Sequence, residues 1–317
     1  LDFSGLRRYY DGSDEGFRWT NSLNRTVDDG DLFVDRRNYN IELGLTPPEG
    51  PQWVFGWHRL EKDGKEVLLR EARNEDDTVR AIPDVVNMKG ITDTIYGEVS
   101  QTFADKYNLR VRQEFEQYHD NPYGGLSREF DATGNITSNN RFQDNLGYTN
   151  WRTMVMFDSF LDKQTYVTAD YMFNYLTNDS TRTNWRSTPL KEFDVDNSRT
   201  TNVYGLGYRR ADFIAIPNLD LSAGVRIEDS KTDADSNYGT GATFASLNSL
   251  KSHLDELRVA EVLRLVYKGI NKTTLSVDAQ LEQRDLDWDS RRTTDTTINR
   301  KADIYFMDQI YTFKAVH

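Results

Sequence analysis

The chain of 317 residues contains no cysteine, which removes disulfides, thiolate metal sites and Cys-x-x-Cys-His haem attachment from its own repertoire. No apolar run of about 18 residues occurs and mean hydropathy is -0.74, so a helical membrane protein is excluded. Histidine is scarce, and the four present, His58, His119, His253 and His317, stand too far apart for a metal-ligand spacing or a catalytic triad. Cationic residues are outnumbered, 39 Lys and Arg against 51 Asp and Glu, for a net charge of -12; no nucleic-acid partner is expected. Gly-x-Ser-x-Gly, phosphate-binding and dinucleotide-binding fingerprints are all missing, and no enzyme activity is expected. Glu114 and Glu116 share a strand face, as a glycosidase pair could, but a charged pore lining explains them more simply.

What is present is period two. Leu275, Val277, Ala279 and Leu281 alternate with Ser276, Asp278, Gln280, Glu282 and Arg284, and the preceding run sets Leu257, Val259, Leu263, Leu265 and Tyr267 against Arg258, Arg264 and Lys268. One apolar face at this period means β-strand, and Gly269-Ile270-Asn271-Lys272 reads as the turn between the two. Glu261 breaks the leucine face, and a bulge turning it to the polar side is expected.

The same grammar recurs along the chain. Tyr39, Ile41, Leu43 and Leu45 are followed across Thr46-Pro47-Pro48-Glu49-Gly50 by Trp53, Phe55 and Trp57. Hairpins are predicted around Ala104-Asp105-Lys106 and Asp162-Lys163-Gln164, and Leu219, Leu221, Ala223, Val225 and Ile227 follow the short Ala215-Ile216-Pro217-Asn218. Between hairpins lie polar stretches that read as loops: Lys62 to Lys89, His119 to Leu146, Thr177 to Arg199, Ser230 to His253 and Leu286 to Arg300. About 12 or 13 strands of roughly 10 to 15 residues result, longer than globular strands. Tight turns alternating with long loops are the signature of an antiparallel transmembrane β-barrel with short periplasmic turns and long extracellular loops.

Aromatics, 12% of residues, suit interfacial girdles; Trp53, Trp57, Trp151, Tyr171 and Tyr175 are assigned there rather than to a sugar-stacking platform. Leu219, Leu221, Val225, Leu263, Leu265, Leu275, Val277 and Leu281 are expected to face lipid. Asp220, Arg226, Glu228, Asp278, Glu282 and Arg284 are expected to face the lumen. Residues 1–317 are expected to form one outer-membrane domain of a Gram-negative bacterium. Residues 1–15 would be a periplasmic tail or partial first strand, and the direction of the strands, with no terminal aromatic at His317, favours a fragment of a larger barrel.

The segment Trp53-Val54-Phe55-Gly56-Trp57-His58-Arg59-Leu60-Glu61-Lys62-Asp63-Gly64-Lys65, followed by Ala81-Ile82-Pro83 and Ile91-Thr92-Asp93-Thr94, resembles the MtrB/PioB family of decahaem-associated outer-membrane β-barrels. The resemblance covers about Trp53 to Gln101. It implies a strand ending in an Arg- and Asp-Gly-containing stretch, then an extracellular loop carrying a proline. It also implies a larger barrel sheathing a multihaem c-type cytochrome, so that the haem belongs to a partner and this chain carries no redox group. The chain departs from the family in its shorter length and in lacking the N-terminal Cys-x-x-Cys of some members.

Asp233, Asp235 and Asn237, with Gly239, and separately Asp285, Asp287 and Asp289, place alternating oxygen ligands in two expected loops, as a Ca²⁺ site would require. The EF-hand pattern fails, because glycine comes one position late and Phe244 stands where the bidentate glutamate belongs. Three functions are therefore expected: a sheath for a multihaem cytochrome, a porin for small solutes or ions, and a soluble β-rich carbohydrate-active protein.

Overall fold

The computed structural model describes residues 7–10, 18–20, 26–28, 33–73, 79–120, 123–130, 136–185, 189–240, 248–293 and 298–316. In chain order the strands are β1 (Arg7–Tyr10), β2 (Arg18–Thr20), β3 (Thr26–Asp28), β4 (Phe33–Leu45), β5 (Gln52–Arg73), β6 (Val79–Phe103), β7 (Tyr107–Asp120), β8 (Tyr123–Phe130), β9 (Ile136–Phe160), β10 (Thr165–Trp185), β11 (Pro189–Arg210), β12 (Leu219–Thr240), β13 (Asn248–Ile270), β14 (Thr273–Thr293) and β15 (Ile298–Val316). All but β2 and β3 belong to one antiparallel sheet, in which each long strand pairs with its neighbours in sequence. β8 prolongs the lane of β7, between β6 and β9.

Local chemistry explains the turns at one end. Ala104 and Asp105 both adopt positive φ, 49° and 54°, which matches the twist a tight hairpin needs. Asp162 accepts hydrogen bonds at 2.7 Å from the backbone N–H groups of both Gln164 and Thr165, an Asx turn. The turn after β13 is tighter than the sequence implies: Ile270 pairs with Thr273, leaving Asn271 and Lys272, the latter at φ 57°.

The opposite end corrects the sequence reading. The five stretches read as long loops are mostly strand: β5 and β6 stay paired out to Arg73↔Val79, β10 and β11 to Trp185↔Pro189, and β13 and β14 to Ser249↔Thr293. β6 and β9 reach 25 residues each, so at about 3.3 Å per residue they run roughly 80 Å. The reason is physical. Where water bathes both faces a ladder needs no apolar side, so the alternation that marks a strand in sequence disappears while the backbone pairing continues. Asp63-Gly64, expected to end a strand, and Pro83, expected in the loop after it, lie inside β5 and β6, opposite Lys89, Met88 and Leu69.

β1 pairs with β4 through Arg7↔Arg36 to Tyr10↔Phe33, at the end of β4 remote from its turn. The remainder of the stretch expected as a tail lies outside the described residues. β4 and β15 do not pair with each other, so the sheet is open among the described residues.

Candidate functional site

The register sorts the sheet into two unlike faces. On one, Leu43↔Phe55↔Gly97↔Gln113 and Ile41↔Trp57↔Ile95↔Phe115↔Trp151 run across the first five lanes. The same face continues through Leu206↔Val225↔Glu261↔Leu281 and Ala223↔Leu263↔Ala279↔Tyr311. Its apolar part is confined to the half nearest the short turns. On β12 it spans Leu219 to Ile227 and gives way to Asp229, Lys231, Asp233 and Asp235. That span is about 27 Å along the strand, or roughly 20 Å of height at a tilt near 40°.

These apolar side chains are not a core. Val203 is the one buried hydrophobic residue among those described, whereas Leu43, Ile95, Leu206, Tyr204 and Phe313 are 58, 57, 59, 50 and 74% exposed. Rings flank the band: Phe115 and Trp151 meet at 4.6 Å between centroids, Tyr171 and Tyr204 at 5.1 Å. All eight residues assigned to lipid from the sequence fall on this face, as do Trp53, Trp57, Trp151, Tyr171 and Tyr175. Glu261 falls there as well. The β12–β13 and β13–β14 registers run unbroken through it, opposite Val225 and Leu281, so the expected bulge is absent. A single polar residue does not outweigh the ladder on both sides of its strand.

At the upper rim of the band Arg59 pairs with Asp93, and the Trp57 indole donates to the same carboxylate at 3.1 Å. Arg37 and Arg59 approach Glu61 at 3.7 and 3.9 Å.

The other face is charged, and its charges are paired across strands. Glu114, buried, takes Arg112 at 2.8 Å and Arg152 at 3.2 Å. Arg110 and Arg112 reach Glu98 at 3.3 and 3.7 Å, and the Arg112 guanidinium lies 3.9 Å from the Tyr96 ring centroid. Tyr96 in turn donates to Glu42. Glu116 accepts from Tyr148 at 2.8 Å and Thr94 at 3.3 Å, so the two glutamates read as an acid pair are held by separate networks. His58 contacts Asn38 beside them. This Glu98–Arg112–Glu114–Arg152 chain was legible only in part: Arg110, Arg112, Glu114 and Glu116 recur at period two on β7, but the register alone joins them to Glu98 and Arg152.

A second network occupies the same face further along. Arg258 grips Glu282 at 2.8 Å, Arg264 reaches Asp278 at 3.2 Å and Lys268 reaches Asp220 at 2.9 Å. Arg284 lies 2.6 Å from Glu256, and Arg199 bridges Glu228 and Glu256 at 3.7 and 3.8 Å. The six residues assigned to the lumen thus share one face, and Arg226 is the one without an ion pair among the described residues.

The loop placement expected for the candidate Ca²⁺ ligands is corrected. Asp233, Asp235 and Asn237 lie on β12, and Asp285, Asp287 and Asp289 on β14, in extended strand rather than loop. Several are already taken: Asp233 by His253 at 2.7 Å, Asp235 by Lys251 at 3.0 Å, Asp289 by Lys301 at 3.0 Å. Among the described residues no group of three His, Cys, Asp or Glu could hold a metal ion. His253 also meets Asp255 at 3.1 Å through Nε2. Its imidazole titrates above the ordinary value because both ring nitrogens face carboxylates. Nearby, burial and then the neighbouring Asp179, Asp196 and Asp235 push Asp194 up.

The class of protein defined by these observations is an all-β antiparallel meander with an exposed apolar band on one face, a cross-paired charged opposite face and strands that overrun the band at one end. No family model matches the sequence, and no curated protein matches it. Among solved structures the chain is similar to the ferric citrate transporter FecA in its unliganded form. The TM-score is 0.37 and the identity 8%, covering 88% of this chain and 57% of that one. The chain therefore spans less than two thirds of that structure's length.

Proposed function

We propose that the chain is part of the wall of an outer-membrane β-barrel of a Gram-negative bacterium, and that the barrel sheathes a multihaem c-type cytochrome. The observation that carries the first part is the inverted distribution of side chains. Among the described residues, apolar side chains form an exposed band instead of a core, with Val203 alone buried, and the band's height of roughly 20 Å comes close to the roughly 25 Å apolar belt of such barrels. A water-soluble carbohydrate-binding protein would leave that belt in water.

The second part is supported by the resemblance over Trp53 to Gln101 and by the charged face. With its charges satisfied by one another across strands, that face offers a polar, self-neutralised lining against which a soluble protein can pack without drawing in counter-ions. The wall carries no redox group; it excludes lipid and fixes the guest. The test is purification of the membrane-extracted protein with its partners. Haem absorbance that stays with the chain, together with no ion conductance in planar bilayers, is the expected result. Conductance without haem would make the barrel a diffusion pore instead.

A further inference from the structure

We infer that the guest protein sits on one patch of the charged face, an apolar recess spanning β9 to β12, and that Arg226 at its edge takes a carboxylate from the guest surface. The inference rests on the sheath reading, which supplies the guest, and adds where it docks and by what chemistry.

The register builds the patch. One row across the charged face reads Arg112↔Met154↔Met172↔Val203↔Glu228, and the next reads Arg110↔Met156↔Asp170↔Gly205↔Arg226. Three of the chain's five methionines therefore meet, half-buried, with Val203 buried beside them. They stand at the height of the apolar band, because Leu206 and Val225, on the opposite face, are the chain neighbours of Gly205, Gly207, Gly224 and Arg226.

A third row, Thr168↔Gly207↔Gly224↔Val262, completes the recess. Glycine lowers the surface here by letting neighbouring side chains lie down over the backbone. A Cβ on Gly205 would collide with the Asp170 carboxylate and one on Gly207 with the Thr168 hydroxyl, while one on Gly224 would stand 3.2 Å from Val262 Cγ2. Methionine suits such a place, since its unbranched, polarisable chain adapts to the shape pressed against it.

The flanks need nothing from a guest. Arg110, Arg112 and Arg152 are paired on one side, and Arg258, Arg264 and Arg284 on the other. Within the patch, Asp170 and Arg226 stand on either side of Gly205, and neither has an ion-pair or hydrogen-bond partner among the described residues. An unmated anion and cation beside an apolar recess define their complement. It is an apolar projection of the guest with a carboxylate towards Arg226 and an amino or guanidinium group towards Asp170. Self-paired charges around the recess and unmated ones within it give the guest one position, since charge complementarity fixes register.

The test uses the full chain expressed with its natural partners and purified from membranes, with haem absorbance per chain as the measure of guest and membrane fractionation of each variant scored first. Arg226→Gln is expected to speed the loss of haem protein in a salt wash about tenfold, and Arg226→Lys less. The swap of Asp170→Arg with Arg226→Asp should cost at least as much as Arg226→Gln, because it permits a pair within the wall but reverses the charges shown to the guest. Arg264→Gln, which breaks a flanking pair, should leave retention unchanged. No effect of Arg226→Gln, retention that survives the swap, or equal loss with Arg264→Gln would overturn the docking patch while leaving the sheath reading intact. A parent chain that carries no haem protein sinks the sheath reading, and the patch with it.

Discussion

The guanidinium of Arg59 grips the Asp93 carboxylate with two parallel hydrogen bonds, Nε to Oδ1 and Nη2 to Oδ2, each 2.8 Å long. The pair spans β5 and β6 and stands immediately above Trp57 and Ile95, where the apolar band ends. It therefore marks the border between the half of the sheet whose outer face avoids water and the half that stands in it. Only arginine offers this planar fork. Arg59→Lys is expected to lower stability by about 0.5–1 kcal/mol, because the pair is partly solvated. A double-mutant cycle with Asp93→Asn in detergent-solubilised protein should give a coupling of that size, and additive effects would show the pair contributes nothing.

Gly56 is glycine because the Tyr96 ring lies across it: a Cβ there would sit 2.1 Å from the ring's Cζ. Gly56→Val must therefore expel Tyr96 from between Glu42 and Arg112. The expected loss is about 1–3 kcal/mol, the range for overpacking, and Tyr96→Ala in the same chain should remove most of it. Equal destabilisation by Gly56→Val in both backgrounds would contradict the packing described.

Glu261 lies on the apolar face, opposite Val225 and Leu281, and has no ion-pair or hydrogen-bond partner among the described residues. Acidic residues on a lipid face are unfavourable, less so near its rim. Glu261→Leu is thus expected to raise stability by about 1 kcal/mol, read from the unfolding midpoint in lipid. No gain, or a loss, would mean that Glu261 has a partner outside the described residues.

His253 sits between Asp233 and Asp255 beyond the band, and its pKa is raised above 6.5 by those two carboxylates. A raised folded-state value means that its contribution to stability is full below about 6.5 and is lost as pH climbs through the folded value. The imidazole NMR titration should therefore be displaced upward, and Asp233→Asn with Asp255→Asn should return it towards the ordinary value. An unshifted titration in the parent chain would remove the cluster from the account.

Face assignments were legible in the sequence because one face had to be apolar. Leu219, Leu221 and Val225, or Leu275 and Val277, announce their side by period two alone. The same logic failed beyond the band. Asp229 to Asn237 and Asp285 to Asp289 look like acidic loops because neither face needs to avoid water there, yet the backbone ladder carries on. Ion pairs such as Arg152 with Glu114 or Arg199 with Glu256 were hidden for another reason. They join residues 38 and 57 positions apart, and only the register between lanes brings them together. Glu261 shows the limit of reading each strand alone: its orientation is set by both neighbours, and a local polar preference could not override them.

The central claim is that the exposed apolar band meets hydrocarbon while the charged face does not. Tryptophan quenching by lipids brominated at mid-chain, in otherwise Trp-free Leu263→Trp and Val262→Trp variants reconstituted into vesicles, reads this directly, since these neighbours on β13 stand at one height, Leu263 on the apolar face and Val262 on the charged one. The account predicts strong quenching at position 263 and little at position 262. Equal quenching at both positions, or none at 263, would contradict it.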